Sequence, residues 1–210
     1  FDIYFRSEGG SLSITHSGSF YIYADYTALD ITYSNVEFNA MYCTGNITNN
    51  TFGYFSSFNY CNNMLFENNV FKGTIYNRES NNITFKKNLF LGNYVTLNPF
   101  RVLELSSDTS VTIINNTFSE FDMTAGSSES EPSRIIGISD YGTSLNIDIR
   151  NNIFWNISDT INAYVISNQS NSEIIIEYNN ILGGENEVHG EHYWGSGNIN
   201  EDPLFTDSEN

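Results

Sequence analysis

A six-residue motif, apolar–any–polar–Asn–any–Phe, recurs along the chain at a spacing that few folds accommodate. Its five clear copies end in the pairs Asn50 and Phe52, Asn69 and Phe71, Asn88 and Phe90, Asn116 and Phe118, and Asn152 and Phe154. Successive Phe residues are 19, 19, 28 and 36 residues apart. A coil of a β-solenoid takes roughly 20 residues, and longer repeats carry inserted loops. The motif therefore predicts an all-β, single-stranded, right-handed parallel β-helix with loops near residues 96–100 and 122–133.

The register of the repeat is less regular at both ends. A sixth copy, Ile176-Glu-Tyr-Asn-Asn180-Ile-Leu182, carries one extra residue and so places Asn180 and Leu182 in the repeat. Only 14 residues separate Phe38 from Phe52, which is too few for a coil and leaves the register before residue 46 open. We predict one domain over residues 1–210 with about six to eight coils and a terminal coil at 183–205.

The residue types of the motif suit the interior and the corners of such coils. Interior Phe residues are expected to stack, and offset ring contacts add to their burial. Asn tolerates the left-handed backbone of a sharp corner, and Asn side chains stacked about 4.8 Å apart can hydrogen-bond from coil to coil. We expect a column of Asn50, Asn69, Asn88, Asn116, Asn152 and Asn180, with positive φ at Asn69, Asn88, Asn116 and Asn152. A second column should contain Phe52, Phe71, Phe90, Phe118 and Phe154.

These copies resemble the right-handed parallel β-helix proteins of the pectin-lyase-like superfamily. The stretch Gly197-Asn-Ile-Asn-Glu-Asp-Pro-Leu-Phe205 is similar to the terminal coil of many bacterial and archaeal surface members, in which more chain follows. The resemblance covers roughly residues 46–205 and implies an extracellular or cell-surface segment of a longer protein. It implies no single activity, because the superfamily holds lyases, hydrolases, epimerases and non-enzymatic surface proteins.

The catalytic motifs of the enzymes in this superfamily do not occur in the sequence. Polygalacturonase-like hydrolases would require Asp-Asp and Gly-His-Gly patterns, but the chain has no Asp-Asp pair and its one His-Gly is Val188-His189-Gly190. Pectate lyases share Trp-x-Asp-His and Arg-x-Pro-x-x-Arg segments, which are also absent. A lyase needs a positioned base and a cation that neutralises the uronate carboxylate. We predict a non-enzymatic module without catalytic residues or cofactor, with a polysaccharide lyase as the alternative.

Four outward residues are low-specificity candidates for ligand binding. In repeat register Glu67, Lys86 and Arg150 occupy one outward column, with Ile114 between the last two. This column is either a site of cross-coil ion pairing between Glu67 and Lys86, or a polar face that grips an acidic glycan. Trp155 follows an inward Phe and should face outward, where it either packs beneath the 122–133 loop or offers a glycan platform.

Cysteine and histidine spacing leaves further chemistry open. The separation of Cys43 and Cys61 in the sequence is close to one coil, so they are candidates for either an inter-coil disulfide or two buried thiols. The segment 185–194 holds two His and three Glu residues, but their spacing matches no established metal site. We predict that this segment is a solvated loop and that the chain has no metal site.

The charge of the chain limits its partners. Eight Lys and Arg residues against 25 Asp and Glu residues give a net charge of −17, which repels nucleic acid and anionic lipid. No stretch approaches the ~20 apolar residues of a membrane helix, so no membrane insertion is expected. We expect a rigid structural, adhesive or assembly element whose partners are glycans, neighbouring copies or other domains. Because terminal coils expose unpaired backbone groups, at least one end should be covered by such a partner.

Overall fold

A computed structural model of the chain describes residues 3–15, 19–25, 27–32, 35–53, 55–92, 101–123, 132–140, 145–158 and 163–203. The paired strands among these residues all run parallel. They form one sheet of nine strands and one of fifteen. The chain is a right-handed parallel β-helix, as the motif predicted, and parallel crossovers almost always take this hand. The loop predicted near residues 96–100 lies outside the described residues.

The nine-stranded sheet, here sheet 1, receives one strand from each coil. It contains β2 (Ser11–Thr15), β4 (Ala28–Thr32), β6 (Thr44–Thr48), β9 (Asn62–Glu67), β12 (Asn81–Lys86), β15 (Ser110–Ile114), β18 (Asn146–Arg150), β21 (Ile174–Glu177) and β24 (His192–Trp194). The described residues therefore make nine coils. The expected six to eight is corrected upward, because the coils near the N-terminus are shorter than those of the clear motif copies.

The fifteen-stranded sheet, here sheet 2, begins with three long strands and then divides. Its undivided part is β1 (Ile3–Glu8), β3 (Ser19–Asp25) and β5 (Asn35–Met41). Branch 2a is β7 (Thr51–Phe52), β10 (Val70–Phe71), β13 (Leu89–Leu91), β16 (Thr117–Asp122), β19 (Ile153–Ser158) and β22 (Asn180–Ile181). Branch 2b is β8 (Ser56–Asn59), β11 (Ile75–Arg78), β14 (Arg101–Ser106), β17 (Ser133–Ser139), β20 (Ala163–Asn168) and β23 (Val188–His189). From β7 onward each coil thus has three strands.

Strand register resolves the repeat before residue 46. Phe20 pairs with Val36, and Val36 pairs with Phe52, so these two coils are equal in length and shorter than the later ones. Val36 rather than Phe38 is therefore the residue equivalent to Phe52. Phe52 then pairs with Phe71, and Phe71 with Phe90, so the next two coils have the length that the motif predicted.

The Phe column lies inside the helix and stacks ring on ring. Phe52, Phe71, Phe90, Phe118 and Phe154 are all fully buried. Their consecutive ring centroids lie 4.5, 4.7, 4.3 and 4.6 Å apart. The predicted interior column is confirmed, and it continues to Ile181, which pairs with Phe154.

The Asn column is also present, and its side chains reach back to the preceding coil. In each of the first five steps the backbone N–H of one Asn donates to the Oδ1 of the next over 2.9 Å: Asn50 to Asn69, Asn69 to Asn88, Asn88 to Asn116, Asn116 to Asn152, and Asn152 to Asn179. The Nδ2 of each accepting Asn also donates to a backbone carbonyl of the preceding coil, as Asn116 Nδ2 does to Phe85 O over 2.9 Å. Each amide thus satisfies a buried N–H and a buried C=O that the corner removes from the sheet.

The last step of the Asn column corrects one assignment. Asn179, not Asn180, accepts from Asn152, and Asn179 N–H in turn donates to Asn198 Oδ1 over 2.9 Å. Asn180 instead pairs with Ile153 as a strand residue. The sixth copy therefore has the same length as the others, and Ile181 replaces Leu182 in the interior column.

The left-handed corner lies one residue earlier than predicted. Positive φ occurs not at the column Asn residues but at the residue before each, namely Asn49, Asn68, Lys87, Asn115, Asn151 and Tyr178, with φ from 54° to 59°. The reversal turns this residue outward and directs the following side chain along the stack. The corner therefore requires an Asn amide after the left-handed residue, while the left-handed residue itself is variable.

A second corner follows the same rule and lies where each coil passes from β5 or a branch 2b strand of sheet 2 to the next strand of sheet 1. Tyr42, Tyr60, Glu79 and Ser107 have positive φ from 51° to 57°. Each precedes a buried acceptor: Cys43 N–H donates to Cys61 Sγ over 3.4 Å, Cys61 N–H to Ser80 Oγ over 3.0 Å, and Ser80 N–H to Asp108 Oδ1 over 2.8 Å. The two cysteines are thus members of a polar column that the sequence did not indicate.

Candidate functional site

The outward column predicted on sheet 1 exists and is internally paired. Glu67 aligns with Lys86, Lys86 with Ile114, and Ile114 with Arg150. Lys86 Nζ lies 3.2 Å from Glu67 Oε1, and Lys87 Nζ lies 3.5 Å from the same oxygen. The hydrogen bond from Lys86 lowers the pKa of the Glu67 carboxyl. Exposed pairs of this kind contribute about 1 kcal/mol or less, so they position charge more than they stabilise the fold.

Arg150 forms a separate group on the same face. Its Nε contacts Asp148, and one terminal nitrogen, Nη1, lies 3.4 Å from Glu177 Oε2. Ile114 separates this group from the Glu67–Lys86 pair. The two cationic groups therefore do not converge, and each already has a carboxylate partner within the chain. A uronate carboxylate would have to compete with those partners.

Trp155 lies on branch 2a, aligned with Ser119 of the preceding coil. It follows the fully buried Phe154 and is itself half-buried. Most of the loop that its packing hypothesis invokes, residues 124–131, lies outside the described residues. Both hypotheses for Trp155 therefore stay predictions.

A shallow groove of about 310 Å³ lies beside the Asn corner near the C-terminal coils. Its lining includes Tyr178, Ile199, Asn151 and Asn180. Tyr178 is 52% exposed and Ile199 is 46% exposed, so apolar surface is open to solvent here. Gly197 allows the Tyr178 ring to lie close against the chain, since a Cβ at Gly197 would be 2.3 Å from Tyr178 Cδ1. Aromatic, amide and carbonyl groups around an open groove are the chemistry that binds a sugar ring.

Sequence reasoning missed this groove for a specific reason. Tyr178 occupies the left-handed corner position that Asn or Lys takes in the other copies. The extra residue assumed in the sixth copy moved Tyr178 out of that position. With the correct register, an aromatic residue at an outward corner would have indicated exposed ring surface.

A buried ion pair on branch 2b was also missed. Arg134 binds Glu104 in bidentate fashion, with Nε to Oε1 at 2.7 Å and Nη2 to Oε2 at 2.9 Å. Both side chains are 7% exposed. A Cβ at Gly137 would lie 2.3 Å from Arg134 Nε, so the absence of a side chain there makes room for the pair. The chain between the partners includes a long insertion, which hid their alignment in the sequence.

The histidines of the 185–194 segment point to different neighbours. His192 Nε2 lies 3.5 Å from Glu185 Oε1, while the His189 ring stacks on Tyr164 with centroids 4.8 Å apart. The segment contains a short 3₁₀ helix, Gly184–Glu187, followed by β23 and β24. It is therefore part of the last coil rather than a solvated loop. Among the described residues no group of three or more His, Cys, Asp or Glu is arranged to hold a metal ion.

No protein-family model, curated protein sequence or solved structure matches the chain significantly. Within the described residues, no helix is long and apolar enough to cross a membrane.

Proposed function

We propose that the chain is a rigid module of an extracellular or cell-surface protein of the pectin-lyase-like surface type. The module serves as a spacer, an adhesive surface or an assembly element. The observation that carries this proposal is the Asn column, which runs without interruption from Asn50 to Asn198. A stiff axis with variable corner loops suits a spacer or display element.

The coils differ in length because of their loops, whereas the hydrogen-bond spacing of the Asn column stays the same. Between Asn88 and Asn116 the chain takes 28 residues, and between Asn116 and Asn152 it takes 36, yet both backbone-to-amide bonds are 2.9 Å long. Insertions thus leave the stack unchanged. Surface-binding modules need this separation between a constant scaffold and adaptable loops.

Glycan binding is a second candidate function, and the groove beside Tyr178 favours it. An exposed ring next to the exposed Asn151 combines a stacking surface with an amide hydrogen-bonding group. A neutral glycan suits it better than an acidic one, because the chain carries a net charge of −17. Neighbouring copies or domains of a longer protein are the other proposed partners.

A polysaccharide lyase is the enzymatic alternative to this module. Its difficulty is the cation requirement: Lys86, Lys87 and Arg150 are each within 3.5 Å of a carboxylate of the chain or in direct contact with one. To bind a substrate carboxylate, such a cation would have to separate from its carboxylate partner in the chain. Each of the two groups would then lose the compensating charge of the other. The proposed non-enzymatic role requires no such rearrangement.

One experiment distinguishes these candidates. The protein is incubated with a panel of neutral and uronate-containing polysaccharides, and both binding and ultraviolet absorbance of unsaturated products are followed. Tyr178→Asn is the test variant, since Asn occupies this corner position in other coils, and Tyr193→Ser is the control, since Tyr193 is 50% exposed outside the groove lining. Binding lost only in Tyr178→Asn supports the groove. New absorbance contradicts the non-enzymatic role.

A further inference from the structure

Cys43 and Cys61 lie one above the other at the second corner, in consecutive coils. Cys43 N–H donates to Cys61 Sγ, and the two thiols donate to the carbonyls of Met41 and Asn59 over 3.3 and 3.4 Å. Both residues are fully buried and both thiols are free in this structure. Stacked strands lie about 4.8 Å apart, which is within the Cα separation that a disulfide tolerates.

The Cys43–Cys61 pair lies where the strand pairing of sheet 2 changes. Val36 pairs with Phe52, but Asn39, three positions after Val36, pairs with Ser57, five positions after Phe52. The two extra residues fall between β7 and β8, where Phe55 is 52% exposed. Cys43 belongs to the last coil with one continuous strand in sheet 2, and Cys61 to the first coil with two. The pair therefore spans the seam at which the cross-section of the solenoid changes.

We propose that Cys43 and Cys61 are an oxidative modification site. A small-molecule disulfide oxidises the two thiols there to an inter-coil disulfide, which covalently links the two coils on either side of this seam. The bond would join two coils whose sheet 2 strands no longer match one to one. The direct contact of Cys43 N–H with Cys61 Sγ over 3.4 Å, rather than the separation of the two residues in the sequence, carries the assignment.

The chemistry is an ordinary thiol–disulfide exchange in two steps. The Cys43 thiolate attacks one sulfur of the small disulfide, whose S–S bond breaks and releases one small thiolate. Cys61 then loses its proton to solvent and attacks the Cys43 sulfur, which releases the second small thiolate. The protein loses two electrons and two protons, and the small disulfide is reduced to two thiols.

Cys43 is the better first nucleophile. The hydrogen bond from Cys61 lowers the pKa of the Cys43 thiol to about 7, whereas hydrogen bonding with Cys43 and burial raise that of Cys61. Because both sulfurs are buried, the corner must open locally before the small disulfide can enter. The reaction should therefore be slow under native conditions and faster in mild denaturant.

The test uses the full chain, reduced and then incubated with oxidised glutathione at neutral pH, with and without mild denaturant. Free thiols are then alkylated under denaturing conditions and the products are analysed by mass spectrometry. We expect loss of both alkylation sites, a peptide linked through Cys43 and Cys61, and no glutathione left on the protein. We also expect the unfolding temperature to rise by roughly 5–10 °C and to return on reduction.

Two variants make the outcome decisive. Cys43→Ser and Cys61→Ser should fold, because Ser80 already serves as the acceptor in the same column. Each should stop at a glutathione adduct or not react, and neither should gain thermal stability. Full alkylation of both cysteines in the treated wild type, a persistent mixed disulfide, or an unchanged unfolding temperature in the linked protein would overturn the proposal.

Discussion

The backbone N–H of Asn116 donates to the side-chain oxygen of Asn152, 36 residues further along the chain, over 2.9 Å. The Asn152 amide also donates to Ile113 O of the earlier coil over 2.8 Å. One side chain therefore satisfies the hydrogen bonding of two backbone groups that the corner leaves without a sheet partner. Because both groups are buried, this bridge stabilises the fold beyond its own hydrogen-bond energy.

Replacement of a column Asn should therefore be costly. Asn116→Ala leaves Asn88 N–H and Phe85 O without their side-chain partners, and we expect it to lower the free energy of unfolding by about 2–4 kcal/mol. Asn115→Gly is the matched control, since Asn115 is exposed, lies outside the column and has φ 59°, which Gly adopts without strain. Urea denaturation compares them. Equal losses would contradict the assigned role of the amide.

The left-handed corner residue should obey a different rule. Lys87 has φ 54°, so Lys87→Gly should be neutral or stabilising, whereas Lys87→Val should cost about 1–2 kcal/mol. Both variants lose the exposed contact with Glu67, which therefore cancels in the comparison. Denaturant midpoints measure the difference. If Val and Gly proved equally stable here, positive φ at this position would be ruled out.

Most of the fold was predictable because the same six-residue pattern indicates both the alternation of residues along a strand and the Asn at the corner. The Phe52-to-Phe154 column and the Asn50-to-Asn152 column followed from spacing alone. Asn180 was misassigned because two consecutive Asn residues allow two registers, and only the hydrogen bond to Asn179 decides between them. The second corner escaped detection because Cys, Ser and Asp share an acceptor role without sharing a residue type.

The candidate site was less predictable than the fold. The Glu67–Lys86 column was visible because both residues fall within coils that carry no insertion. The Tyr178 groove depends on Ile199 and Gly197, which arrive from the following coil. The Glu104–Arg134 pair depends on alignment across an inserted loop. Such contacts need the register of every intervening coil, which variable loops conceal.

The interior Phe column should tolerate truncation poorly. Phe90 is fully buried between Phe71 and Phe118, with ring centroids 4.7 and 4.3 Å away. We expect Phe90→Ala to cost about 3–5 kcal/mol, because a cavity forms within a closed stack. Thermal or chemical unfolding measures the loss. A cost below about 1 kcal/mol would mean that the ring does not support the core.

Asp108 should make stability depend on pH. Burial raises the pKa of its carboxyl to about 7 from the ordinary value of 3.8. Between these values the folded state binds more protons than the unfolded state, so the free energy of unfolding falls as pH rises toward 7 and remains low above it. The nearby Glu79 carboxylate acts in the same direction.

Asp108→Asn provides the comparison for this pH effect. Its amide keeps one acceptor for Ser80 N–H and does not titrate. Relative to this variant, the wild type should lose stability between pH 5 and pH 8 in urea titrations. Parallel pH profiles for the two proteins would show that Asp108 does not hold a proton in the folded state.

We propose that the coils stack as interchangeable layers along one rigid axis. Asp30 and Tyr193 lie in one outward column of sheet 1 that passes through Asn46, Leu65, Thr84, Thr112, Asp148 and Ile175. Seven coil steps of about 4.8 Å separate these two positions by roughly 34 Å. Deletion of residues 62–80 removes one coil in register, because Asn62 pairs with Asn81.

The decisive measurement is the distance between spin labels at positions 30 and 193, in a background with both native cysteines replaced by serine. Pulsed electron spin resonance should give a narrow distribution in the full chain. In the 62–80 deletion the mean should shorten by about 5 Å, one coil step, with the distribution still narrow. An unchanged mean or a broad distribution would contradict a stack of interchangeable coils held by continuous side-chain columns.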